Sequence, residues 1–189
     1  MNPVSDPTTV DELFELYERV GNSDYGESIT QIEHALQCAA LARDAGAREA
    51  LIVAALFHDV GHLVVDVQGT PEFDLASEDD DHEARGARIL ARLFGASVAQ
   101  PVAMHVLAKR WRCTREPAYH DQLSRASQAT LIAQGGLLSE EACRRFEAHP
   151  GFADALALRT WDDAGKVEGL DVGALRDWEP LARSLAEIR

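Results

Sequence analysis

The sequence predicts an all-α fold, a single helical bundle spanning residues 1–189. Three observations predict it. Apolar residues recur at three- and four-residue intervals through most of the chain. Runs of β-branched residues alternating with polar ones, the mark of strands, are missing. Apolar residues make up 46% of 189 positions, enough for one substantial core and short for two domains.

The first helix is predicted over 11–20, where Leu13, Leu16, Tyr17 and Val20 share a face. After the loop GNSDYGES a second runs over about 29–45, with Ile29, Ile32, Leu36, Ala39 and Ala40 on its apolar face and Gly46 as its stop. A third, over about 48–65, is apolar nearly all round and therefore central. Residues 68–81 read as a loop with an acidic end at 78–81. A helix follows over 82–94, closed by Gly95, and another over 98–111, where Pro101 is tolerated in the first turn. Residues 113–122 read as loop, 123–133 as helix, and Gly135-Gly136 as a turn. Helices over 140–149, 152–167 and 172–187 complete the set, with the core of the domain at about 22–167.

Lys and Arg number 18 against 32 Asp and Glu, for a net charge of −14 and a pI near 4.8. Such a surface repels phosphate backbones and anionic lipid, which argues against nucleic acid or membrane as the main partner. An anionic substrate would need a few cations gathered locally. The N-terminal stretch has no basic start followed by an apolar run, so no signal peptide is visible. The three cysteines, Cys38, Cys113 and Cys143, are scattered without a CxxC pair. That argues against a disulfide framework or a thiolate zinc site, and for a reduced, cytoplasmic setting. Oligomeric state is left open.

The chemistry begins inside the apolar stretch 51–65, which carries His58-Asp59 and His62. It is too short and too polar to span a bilayer. Burying a carboxylate there without a partner costs several kcal/mol or a large pKa shift. His58 and His62, four apart on one predicted helix, share a face. A divalent metal satisfies such a group, since imidazole nitrogen and carboxylate oxygen are its common ligands. A hydrogen-bonded polar knot is the plainer alternative. One helix cannot complete a metal shell, and His34, His82, His105 and Asp162 are the other candidates. Each also has an ordinary reading: His34 and His105 as satisfied core histidines, His82 as a helix start, Asp162 as a partner of Arg159 or Lys166. His120 and His149 read as solvated.

The order His34, His58-Asp59, Asp162 resembles the H…HD…D signature of the HD-domain superfamily, an all-α metal-binding fold. His82 and His105 resemble its dinuclear subset. Six ordered blocks sharpen the resemblance: GESITQIEH at 26–34, AALFHDVGH at 54–62, HVLAKRW at 105–111, LSxAS at 123–127, QGG at 134–136 and RTWDD at 159–163. Together they are similar to the mixed-valence di-iron oxygenases of organophosphonate catabolism, the PhnZ and TmpB type, over about 22–166.

The resemblance implies an Fe(II)/Fe(III) pair that uses O2 to oxidise a 1-hydroxyphosphonate, breaking the C–P bond to release phosphate and a carboxylic acid. It implies one iron on His34, His58, Asp59 and Asp162, and another on Asp59, His82 and His105 with a position open for O2. Lys109 lies one turn from His105, and Arg159 lies three residues before Asp162. These two are the local cations that a phosphonate requires. His62 and Ser127 are candidate donors to phosphonate oxygens, and Lys109 and Arg159 could alternatively be ordinary ion-pairing residues. Glu27 falls where the family has a glutamate facing a substrate amine, which points to 2-amino-1-hydroxyethylphosphonate or an N-methylated relative. The family's gating tyrosine falls at Asp24 here, and the nearby tyrosine is Tyr25. Either Tyr25 takes that place or the gate is missing and Asp24 faces the amine or the metal. Two other readings keep the fold: a metal-dependent phosphohydrolase acting on a small phosphate ester, and a non-catalytic helical module.

Overall fold

The structure is a computed structural model and describes residues 6–25, 28–67 and 82–187. Among them are eleven α-helices and one 3-10 turn, and the only β feature is an isolated bridge between Asp24 and Thr30. The predicted all-α class holds. The expected loop 68–81, its acidic run included, lies outside the described residues.

Helix α1 (Val10–Val20) starts at a capping box in which Thr9 accepts from the Glu12 N–H and Glu12 reaches back to the Thr9 N–H. Helix α2 (Gln31–Asp44) repeats the device with Thr30 and Glu33. The long apolar run makes two helices where one was expected: α3 (Glu49–Phe57) and α4 (Val60–Val67), with His58-Asp59 in the turn between them. Hydrophobic periodicity carries no signal for a two-residue interruption inside an all-apolar stretch. Gly61 helps to make it possible: a Cβ there would lie 2.0 Å from the His82 carbonyl oxygen, so only glycine permits this approach of α4 to the next helix.

That helix is α5 (His82–Phe94), which packs along α6 (Ala96–Arg115). Helix α6 is longer than predicted at both ends, and Pro101 therefore sits in its second turn. Proline has no N–H to give the carbonyl of Ser97. The Arg48 guanidinium fills that role, with both terminal nitrogens 3.2 Å from the Ser97 oxygen. The expected loop at 113–122 is the end of α6 followed by a short helix, α7 (Pro117–Gln122), with proline at its first turn. Then come α8 (Arg125–Ala133), capped by Ser124, α9 (Glu140–Glu147) and α10 (Phe152–Ala164). The last predicted helix is a 3-10 turn, Leu175–Trp178, leading into α11 (Glu179–Glu187).

Helix α3 is buried from Ala50 to Phe57 and packs on α2, α6, α10 and α11. Phe57, at its C-terminal end, meets Phe14 and Tyr17 edge to face and stacks on Phe94. The core thus closes on the end of α3 that carries His58 and Asp59. No helix among the described residues is long and apolar enough to cross a membrane. The three cysteines are buried free thiols.

Candidate metal centre

Five segments deliver one side chain or two each to a single point. His34 comes from the first turn of α2, and His58-Asp59 from the α3–α4 turn. His82 is the first residue of α5, His105 lies in mid-α6, and Asp162 is near the end of α10. None of the six is more than 7% exposed.

The imidazoles are oriented from behind. His34 Nδ1 lies 2.8 Å from the Gly165 carbonyl, His58 Nδ1 2.9 Å from that of Ala55, and His105 Nδ1 2.7 Å from that of Val102. A main-chain carbonyl can only accept, so each Nδ1 carries the hydrogen and each Nε2 presents a lone pair inward. Gly165 is needed for its part: a Cβ there would fall 2.7 Å from Cys38 Sγ, so glycine lets the end of α10 close on α2.

The inward nitrogens meet the carboxylates in two sets. His34 Nε2 and His58 Nε2 are 3.2 Å apart, at 3.6 and 3.3 Å from Asp59 Oδ2 and 3.5 and 3.9 Å from Asp162 Oδ1. On the other side, His105 Nε2 is 3.9 Å from Asp59 Oδ1 and 3.4 Å from His82 Nε2. One carboxylate, Asp59, therefore turns one oxygen to each set.

Lone pairs facing lone pairs and two carboxylates form a donor set that calls for positive charge. The titration of the groups says the same. Burial lowers His58, but the charges of Asp59 and Asp162 outweigh it and raise its pKa to about 9. Burial and the neighbouring His58 then lower His34 to about 4, and burial with His82 and His58 lowers His105 to about 3. Burial would raise Asp59, yet His58, His62 and His34 hold it well below the usual carboxylate range. The cluster fits divalent metal in both sets by the chemistry of its donors.

His62 parts from His58. The turn at His58-Asp59 puts them in different sets, so the expectation of one shared helical face fails. The His62 ring stacks on His82 with centroids 3.8 Å apart, and its donor atom groups with those of Asp59 and His82 within 4.8 Å. Cys38, with no place in the sequence reading of the site, groups in the same way with His34 and His58. Its thiol donates to the Trp161 carbonyl at 3.4 Å, and burial pushes its pKa well up, so it stands there as a neutral thiol.

Of the other expected site residues, Tyr25 and Arg159 reach this core through Asp162. Tyr25 donates to Asp162 Oδ1 at 3.4 Å and stacks on the His34 ring. Lys109 is buried, and its Nζ donates to Thr130 Oγ1 at 2.7 Å and Gln134 Oε1 at 3.0 Å, both neutral acceptors. Burial and the nearby Arg159 lower its pKa to about 7. Ser127 gives its main-chain N–H to the Ser124 cap of α8 and is half-buried. Glu27 lies outside the described residues. Asp24 is exposed and its backbone pairs with Thr30.

Arg159 meets the ordinary expectation for Asp162 as well. Its Nη1 donates to Asp162 Oδ2 at 2.8 Å, its Nη2 to Asp163 Oδ1, and its Nε to Tyr119 Oη at 3.0 Å. The Tyr119 hydroxyl donates to Asp163 Oδ2 at 2.6 Å, where Arg112 also reaches at 3.3 Å while lying over the Tyr119 ring. Arg159, then Lys166, outweigh burial and hold the Asp162 carboxyl far below its usual range. Sequence reading could not find Tyr119, because it sits in the stretch taken for a loop. Asp163 was legible only as a neighbour of Asp162 in RTWDD. Of the solvated histidines expected, His120 is half-buried beside Asp121, and His149 Nδ1 accepts from the Gly151 N–H.

An all-helical bundle that gathers histidines and aspartates from five segments around one turn is a metal-binding domain of histidine–aspartate type. The HD domain family matches residues 32–135. The chain is 44% identical over 178 residues to a hydroxymethylphosphonate dioxygenase of Gimesia maris, covering 94% of this chain and 88% of that protein. It is 35% identical over 177 residues to the [1-hydroxy-2-(trimethylamino)ethyl]phosphonate dioxygenase (glycine-betaine-forming) of Leisingera caerulea, covering 91% and 87%. It is also 36% identical over 159 residues to the uncharacterized protein L432 of Acanthamoeba polyphaga mimivirus, covering 84% and 73%. The chain belongs to the HD-domain family and is related to the phosphonate dioxygenases within it.

Proposed function

We propose that the chain is an O2-dependent di-iron oxygenase that cleaves the C–P bond of a small 1-hydroxyphosphonate. The observation that carries this is the division of Asp59, with Oδ2 toward His34 and His58 and Oδ1 toward His105. A carboxylate shared in this way suits two adjacent cations. The substrates named for the two phosphonate dioxygenases have in common a hydroxyl on the carbon that bears phosphorus.

His34, His58, Asp162 and Asp59 would hold one iron, and Asp59, His82 and His105 the other. Bound there, an Fe(II)/Fe(III) pair supplies the capacity to reduce O2 while the substrate carbon is oxidised. The overall balance for hydroxymethylphosphonate is one O2 consumed and formate and phosphate formed, each product gaining one oxygen atom as a C–H and the C–P bond break.

The protein's share is binding and orientation. Lys109 offers a buried ammonium with two neutral acceptors, a cation suited to a phosphonate oxygen. His62, which stacks on His82 at the edge of the second set, and Ser127 on α8 are further candidate donors to a phosphonate. Arg159 holds Asp162 and adds positive field next to it. Tyr25 covers His34 and bonds Asp162, which suits a group that shields the first set.

The test is phosphate release from 1-hydroxyphosphonates by iron-loaded protein with ascorbate, in air and under argon. Release that requires O2 and is matched by carboxylic acid supports the proposal. Equal release without O2, or release from phosphate esters instead, would transfer the chain to the phosphohydrolase reading.

A further inference from the structure

Two groups of this chain lie against the ring of Tyr25. His34 stacks on it with centroids 4.0 Å apart and planes 20° from parallel, which leaves no room for a cation on that side. Lys166 Nζ lies over the ring 5.4 Å from its centroid, within cation–π range.

Lys166 is held there by its neighbours. On one side of it, the Gly165 carbonyl accepts from His34. On the other, Val167 exchanges two hydrogen bonds with the Gln37 side chain, giving its N–H at 2.9 Å and accepting at its carbonyl at 2.8 Å. Helix α2 thus carries a metal-site histidine and, one turn later, the clamp that fixes the backbone around Lys166. Its charge is also near enough to act on Asp162.

An aromatic face next to a carboxylate is what an ammonium group seeks. Here a resident ammonium already covers it. Resting on the proposed function, we propose that Lys166 determines specificity by occupying the place a cationic substrate amine would take, so that the chain acts on 1-hydroxyphosphonates without a positive charge. The 44%-identical relative is named for such a substrate, and the 35%-identical one for a substrate bearing a trimethylamino group.

A size-matched pair isolates the charge: 1-hydroxypropylphosphonate carries a methyl where 2-amino-1-hydroxyethylphosphonate carries an ammonium. Their Kd values are measured by anaerobic calorimetry on iron-loaded wild type, Lys166→Ala and Lys166→Arg, and kcat/KM in air. The wild type is expected to prefer the neutral member by about tenfold or more, Lys166→Ala to bring the ratio within about threefold, and Lys166→Arg to keep it. Using a ratio cancels the loss of general attraction for the phosphonate that the alanine variant suffers with both ligands. A wild type that prefers the ammonium member, or a ratio unmoved by Lys166→Ala, overturns the proposal. If both compounds bind without O2-dependent phosphate release, the oxygenase reading fails, while the Kd ratio still decides the role of Lys166. Binding of neither overturns both.

Discussion

The Nε2 atoms of His34 and His58 face each other at 3.2 Å, while each ring's Nδ1 is already committed to a main-chain carbonyl. Two imidazoles so arranged compete for one proton, and His58 takes it because Asp59 is nearest to it. A metal ion held by His34 and His58 would replace that proton with a larger charge.

Metal should therefore stabilise the fold. Binding at 100 times Kd contributes about 2.7 kcal/mol, which corresponds to a rise in Tm of roughly 5–10 °C for a chain of this size. Calorimetric melts of iron-loaded and chelator-treated protein check this. Coincident melts would mean that the cluster is satisfied without metal.

Tyr119→Phe is expected to weaken metal binding without touching a ligand. The lost hydroxyl joins Arg159 to Asp163, and Arg159 in turn grips Asp162. Removing such outer support typically costs 10–100-fold in metal affinity, and about tenfold is expected here. Chelator competition measures it. An unchanged affinity would reduce the Tyr119–Asp163 pair to ordinary packing.

Lys109 makes stability depend on pH in a defined direction. Its folded pKa, about 7, is depressed from 10.5. Between those values the unfolded chain binds more protons, so stability rises as pH rises through that window. Urea unfolding at pH 6.5 and 9.5 should show a gain in wild type exceeding that of Lys109→Met by about 3 kcal/mol. The same group predicts proton uptake on phosphonate binding near pH 8.5, read by calorimetry in buffers of different ionisation enthalpy and absent in Lys109→Met. Equal pH profiles for the two proteins would contradict a buried, titrating ammonium.

The helical class and the converging His/Asp set were legible in the sequence for a physical reason. Helical periodicity spans many residues, and a His-Asp pair inside an apolar run announces a cost that some partner must offset. The turn at His58-Asp59 left no trace, since both flanks are equally apolar, and with it went the assignment of His62 to the side of His58. The role of Arg159 beside Tyr119, the seat of Lys109 on Thr130 and Gln134, and the Arg48 bond to Ser97 that makes up for Pro101 join residues 21 to 49 positions apart in sequence. Contacts of that range are set by how helices pack and have no local signature.

The central claim is that Asp59 joins two metal ions. Its most direct test is iron content together with the electron paramagnetic spectrum of partly oxidised protein, in wild type and Asp59→Ala. Two irons per chain with a spin-coupled Fe(II)/Fe(III) signal in wild type, both lost in Asp59→Ala, is the predicted result. A single iron in wild type, or two coupled irons that survive in Asp59→Ala, would contradict it.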